Sequence, residues 1–161
     1  MKKLMFLLGV VSLMFATSCI KGPTSGGSSA WTYKGKLVVT EMGSGDVTYE
    51  DKAALVTVVI PNGWEPKFDI TFNGVKFADA MPIKLNLELK GIPFTSTVSE
   101  DETTINYIFE KENIIPTGFD SQYTINKAWG CVGKKVEISF TMESRDSKVV
   151  FTANAINTPL E

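Results

Sequence analysis

Apolar and polar residues alternate with a period of two along most of the chain beyond residue 30. Trp31, Tyr33, Gly35, Leu37 and Val39 interleave with Thr32, Lys34, Lys36, Val38 and Thr40. Ile83, Leu85, Leu87 and Leu89 alternate without error against Lys84, Asn86, Glu88 and Lys90. Near the end, Val136, Ile138, Phe140 and Met142 alternate with Glu137, Ser139, Thr141 and Glu143, and Val149, Phe151, Ala153 and Ala155 face away from Thr152 and Asn154. Successive side chains of a strand point to opposite faces, so each stretch predicts a strand with one dry and one wet face. Residues 53–60 are nearly all apolar, rich in valine and ended by Pro61, and their length and β-branching predict a strand and not a helix.

The breaks between these stretches are equally regular. Gly43-Ser44-Gly45-Asp46 is a turn cluster, with a short strand expected at residues 47–49. Asn73-Gly74 stands between Phe68, Ile70, Phe72 and Val75, Phe77; such a pair between alternating runs predicts a hairpin turn, because both residues tolerate positive φ. Gly91 and Pro93 predict a strand break, with residues 94–98 resuming. Ser99-Glu100-Asp101-Glu102 reads as a solvated acidic turn, since it lacks the ligand spacing and central glycine of a calcium-binding loop. Residues 103–110 could place Ile105, Ile108 and Phe109 on a helix face, but Tyr107 and the β-branched neighbours favour a strand. Residues 114–121 are irregular, and a short strand is expected at 123–126. Eight to ten short strands with turns every eight to twelve residues predict an all-β fold: an antiparallel up-and-down barrel of about eight strands, or else a β-sandwich. A membrane-spanning barrel would alternate similarly, but Pro61, Pro66, Pro82 and Pro93 interrupt the strands.

The first nineteen residues follow a different rule. Lys2 and Lys3 precede an apolar run from Leu4 to Phe15, and Ala16-Thr17-Ser18 precede Cys19. That run is too short to span a bilayer, which takes roughly 20 residues, and the layout is that of an export signal. The small residues before a cysteine resemble a bacterial lipoprotein signal, although Ala16 stands where leucine is usual. The resemblance implies that residues 1–18 are removed and that Cys19 is lipidated, with several acyl chains giving a stable membrane anchor. Residues 19–30 then form a flexible tether, Gly/Ser-rich from residue 21, with a mean span of ~17–19 Å over ten residues. A single domain follows over residues 31–157.

Charge and composition narrow the function. Losing Lys2 and Lys3 takes the 16 basic residues to 14 against 18 acidic ones, about −4. Only Arg145 is an arginine, and it lies in a turn; no electrostatic footprint for nucleic acid exists. The chain has no histidine, which excludes Ser-His-Asp and Cys-His sites, His-ligated zinc or haem, and histidine pH switches. With Cys19 lipidated, Cys131 has no disulfide partner and reads as a small hydrophobe. No metal site and no cofactor is expected, and the chain is expected not to be an enzyme. Asp69, Asp79 and Glu88 are strand-face charges; a hydrolase built on carboxylates alone would need two of them about 5–10 Å apart in a cleft.

The segment from Phe68 to Phe77, the following Met81-Pro82-Ile83-Lys84-Leu85 and the closing hairpin from Lys135 to Ile156 resemble the calycin-like β-barrel domain of gut-bacterial lipoproteins. The resemblance covers residues 31–157 and implies an eight-stranded barrel related in shape to lipocalins, fatty-acid-binding proteins and avidin. The lipocalin Gly-x-Trp of the first strand is absent, so no binding residue carries over, and the group has no settled activity to transfer.

A barrel of eight strands is either filled by its own side chains or holds one small ligand. The expectation is a module, lipid-anchored on the outer membrane and facing the periplasm, that holds a small apolar ligand in the barrel; a dry, filled interior would count against it. The alternative is an accessory protein with a filled barrel that acts on an envelope partner through its surface. Trp64, Tyr123 and Trp129 are the candidate ligand-binding residues, because aromatic faces near turns can stack on a ligand. Each could instead cap a barrel end.

Overall fold

In a computed structural model, residues 28–61, 65–99 and 104–154 are described. They form eight antiparallel strands: β1 (Ser29–Glu41), β2 (Val47–Ile60), β3 (Lys67–Val75), β4 (Leu85–Val98), β5 (Ile105–Ile114), β6 (Ile125–Val132), β7 (Lys135–Met142) and β8 (Ser147–Asn154). Each pairs with the next, and β8 returns to β1 through Leu37–Phe151 and Val39–Val149, closing an up-and-down barrel. The fold is therefore all-β, a barrel and not a sandwich. It is consistent with a calycin-like barrel.

The period-two pattern becomes inside and outside. Leu37, Val56, Phe68, Ile70, Phe72, Leu89, Ile92, Ile125, Ile138, Phe140 and Phe151 are each 0% exposed. None of them borders a space that water can enter, so the middle of the barrel is filled. Closure needs β1 to bend against β8. A Cβ at Gly35 would sit 2.2 Å from the carbonyl oxygen of Thr152, so only glycine permits that approach.

Several boundaries differ from the sequence expectation. β1 starts at Ser29, and β2 is one strand from Val47 to Ile60. Asn73-Gly74 is no hairpin turn: both residues lie within β3, where Gly74 (φ 55°) makes a bulge and Asn86 Oδ1 accepts its N–H at 2.7 Å. The chain reverses over residues 76–84 instead. Gly91 and Pro93 do not break β4. Gly91 (φ 60°) is a second bulge, held by Asp69 Oδ1 at 2.7 Å. Phe94 N donates to Pro66 O on the β3 side, so the N–H that Pro93 lacks would face β5, whose ladder with β4 begins only at Phe94. The ambiguous segment is strand β5. Tyr123 lies in a 3-10 turn (Ser121–Tyr123) and not in a strand.

The topology gives the barrel two unlike ends. The lower end carries the start of β1, the β2–β3, β4–β5 and β6–β7 connections and the end of β8. The upper end carries residues 42–46, 76–84, 115–124 and 143–146. An aromatic plug seals the lower end. Phe68 stacks on Phe94 at 5.0 Å and meets Phe109 edge-on at 5.3 Å, and Phe94 meets Tyr107 at 5.0 Å. Tyr33 is buried beside them, and burial, with the nearby Tyr107, pushes its phenol up to about 12.

Candidate functional site

The upper end is open. Phe77, Ala78 and Met81 from the β3–β4 connection, Phe119 and Tyr123 from the β5–β6 connection, and Arg145 from the β7–β8 turn surround a cup of about 370 Å³. Its floor is Leu85, Leu87, Met142 and Val149 of β4, β7 and β8, with Ser147 of β8 above Val149. The volume is at the small end of the ~300–1,000 Å³ of ligand pockets.

Local chemistry holds the rim in place. Phe119 and Tyr123 meet edge-on at 5.2 Å, and the Arg145 guanidinium lies over the Tyr123 ring at 4.8 Å. Phe119 N donates to Pro116 O, and Tyr123 N to Asp120 O, folding the β5–β6 connection onto itself. Thr117 N donates to Glu88 O at 3.0 Å, pinning that connection to β4. Ser144 Oγ donates to Gln122 O at 2.8 Å, and Asp146, at φ 47°, turns the chain into β8. Phe77 meets Phe140 edge-on at 6.0 Å, joining the rim to the filled interior.

Of the residues singled out in the sequence, Tyr123 lines the cup. Trp129 does not. It pairs across the ladder with Glu110 and the buried Ser139 on the outer wall, and has the Lys148 ammonium 5.6 Å from its ring. There it borders a shallow groove of about 480 Å³ with Pro93, Ile108 and Glu110. Tyr123 and Trp129 are thus not brought together. Trp64 and Cys19 lie outside the described residues, although the strand ends flanking Trp64, Ile60 and Lys67, are at the lower end. Sequence reasoning does not mark Phe77, Phe119 and Arg145 as binding residues. A signal existed, because in an up-and-down barrel alternate connections share one end, and three of the upper ones supply these side chains.

Two of the three carboxylates have structural duties. Asp69 holds the Gly91 bulge, and Glu88 pairs with Lys90 at 3.4 Å. Asp79 is exposed in the β3–β4 connection. Among the described residues no group of three His, Cys, Asp or Glu side chains could hold a metal ion. Cys131 faces outward on β6, half-buried; burial first, then the Glu137 carboxylate, pushes its thiol up.

Comparison with known proteins gives no match: no family model, no curated protein and no solved structure is similar to this chain.

Proposed function

We propose that this chain is a bacterial envelope lipoprotein of the calycin-like kind, tethered through Cys19, whose barrel is a non-enzymatic binding module for a small apolar ligand. The observation that carries the reading is the upper cup, an apolar, aromatic-rimmed recess on a barrel otherwise filled and sealed. A protein interior excludes water wherever packing allows, so an apolar recess left open at one end is the natural seat for an apolar molecule. Orientation supports it. β1 starts at the lower end, so an anchor on the residues before it is attached at the end opposite the cup and leaves the cup unobstructed. Placement on the outer membrane, facing the periplasm, is part of the proposal.

The filled interior favours a second reading, an accessory protein that works on an envelope partner through its outer surface. The groove beside Trp129 and Ile108, the latter 48% exposed, is its best contact site.

Mass spectrometry of small molecules released from protein purified from native membranes separates the two. The cup reading expects an apolar compound at near one per chain, lost when Leu85→Trp fills the recess. Repeated absence of any such compound from the unaltered protein overturns it.

A further inference from the structure

Arg145 is the only guanidinium in the chain, and it stands at the lip of an apolar cup. The five ion pairs among the described residues are all made by lysines, so none of them neutralises Arg145. The acids nearest in sequence, Glu143 and Asp146, take no part in lining the cup. The Asp146 carboxylate turns instead toward the β1–β2 turn, where a Cβ on Gly43 would lie 3.7 Å from Oδ2. What touches Arg145 is the face of Tyr123, which orients the guanidinium without consuming its hydrogen-bond donors. An oriented, unneutralised fork of donors beside an apolar recess is a receptor for a carboxylate or phosphate attached to an apolar body.

We propose that the cup takes a monoanionic amphiphile, its apolar part on Leu85, Leu87, Met142 and Val149 and its anionic group on Arg145. This rests on the reading of the cup as a ligand site and adds the ligand's charge class to it. The surrounding chemistry sets the geometry. The floor is apolar, and the Ser147 hydroxyl above it already donates to the carbonyl oxygen of Arg145 at 2.7 Å, so the anion finds no free donor deep in the cup and must remain at the lip, partly in water. A strongly polar molecule would strand its polar groups against the floor, and a purely apolar one would leave the guanidinium unused.

Octanoate and octanol, matched in apolar length, are the probes, titrated calorimetrically against the full mature protein at pH 8. Octanoate is expected to bind about tenfold more tightly than octanol, the ratio that one charge-assisted pair supplies. Arg145→Gln is expected to bring the two probes to equal affinity, and an unchanged urea midpoint would show that the barrel has kept its fold. Arg145→Lys, with its charge but without the fork, should fall between. Equal affinity for the two probes in the unaltered protein overturns the charge assignment and leaves the cup reading standing. Binding of neither probe overturns both. A lipid headgroup presents the same chemistry as a free amphiphile. Retention on vesicles of anionic phospholipid, lost in Arg145→Gln, would assign the source to a bilayer, whereas octanoate binding without retention assigns it to a free molecule.

Discussion

The ring of Phe72 on β3 meets the ring of Phe140 on β7 edge-on, with centroids 5.4 Å apart. In a closed barrel of eight strands β3 and β7 stand opposite each other, so this single contact spans the interior from wall to wall. Phe151 on β8 closes on the same Phe72 ring at 6.3 Å. All three rings are fully buried.

Truncating that contact should therefore open a void rather than allow collapse. Phe72→Ala is expected to cost about 3–5 kcal/mol, the range for losing a large aromatic side chain from a close-packed core. Urea unfolding checks it through the transition midpoint at unchanged slope. A loss below about 1 kcal/mol would mean that the neighbouring rings move in and the middle of the barrel is not rigid.

How much of this was visible in the sequence depended on whether one principle acted alone. β7 and β8 are plain because dryness inside and water outside impose strict alternation, from Val136 to Met142 and from Val149 onward. Asn73-Gly74 misleads because positive φ serves a bulge as well as a hairpin turn, and the choice falls to Asn86, twelve residues on from Gly74. Pro93 misleads because its missing N–H falls where β4 has no partner on the β5 side, a fact of tertiary pairing. The cup was legible only in Tyr123. Its rim comes from three connections tens of positions apart, and no local pattern marks Phe77, Phe119 and Arg145 as neighbours. Trp129 reads as a rim residue when taken as part of a turn, but it belongs to a strand whose outward face is the wall.

Between the upper halves of β4 and β5 the wall is joined by a side chain. Lys111 Nζ donates to the carbonyls of Lys90 and Gly91 at 3.1 and 3.0 Å. Lys111→Met removes both donors and keeps the apolar stem, so it should cost about 0.5–1.5 kcal/mol. Lys111→Arg should recover most of that in the same denaturation assay. An unchanged midpoint for the methionine variant would mean that packing alone closes the seam.

Alkaline stability should carry the mark of Tyr33. Burial, its main cause, raises the folded-state value to about 12 from an ordinary value of 10.0. A raised value means that the folded protein holds the proton that the unfolded chain releases. The contribution is complete below about pH 10 and is lost as pH rises toward 12. Tyr33→Phe should flatten that loss in unfolding curves taken between pH 9 and 12. An identical alkaline slope in the variant would show that Tyr33 ionises without opening the barrel.

The outward thiol of Cys131 should be sluggish. Burial and Glu137 both disfavour its thiolate, the form that reacts. At pH 7.5 the folded protein should react with an aromatic disulfide reagent many times more slowly than the same chain in urea. Glu137→Gln should quicken it modestly, since the carboxylate is the lesser of the two causes. Reaction as fast as that of the unfolded chain would mean that β6 opens readily at its pairing with β7.

Cys19→Ala should release the protein from the membrane fraction or block its processing, with the barrel itself folded normally, because its first strand begins only at Ser29. Residues 20–28 then set the standoff, at most ~30 Å if fully extended. The lower end of the barrel, where β1 starts, would be the end held near the bilayer. A tag protected from an extracellular protease when placed at residues 42–46, yet cleaved in cells whose outer membrane has been opened, would put the upper end in the periplasm. Cleavage in intact cells would put it on the surface, and membrane association that persists in Cys19→Ala would count against lipid tethering altogether.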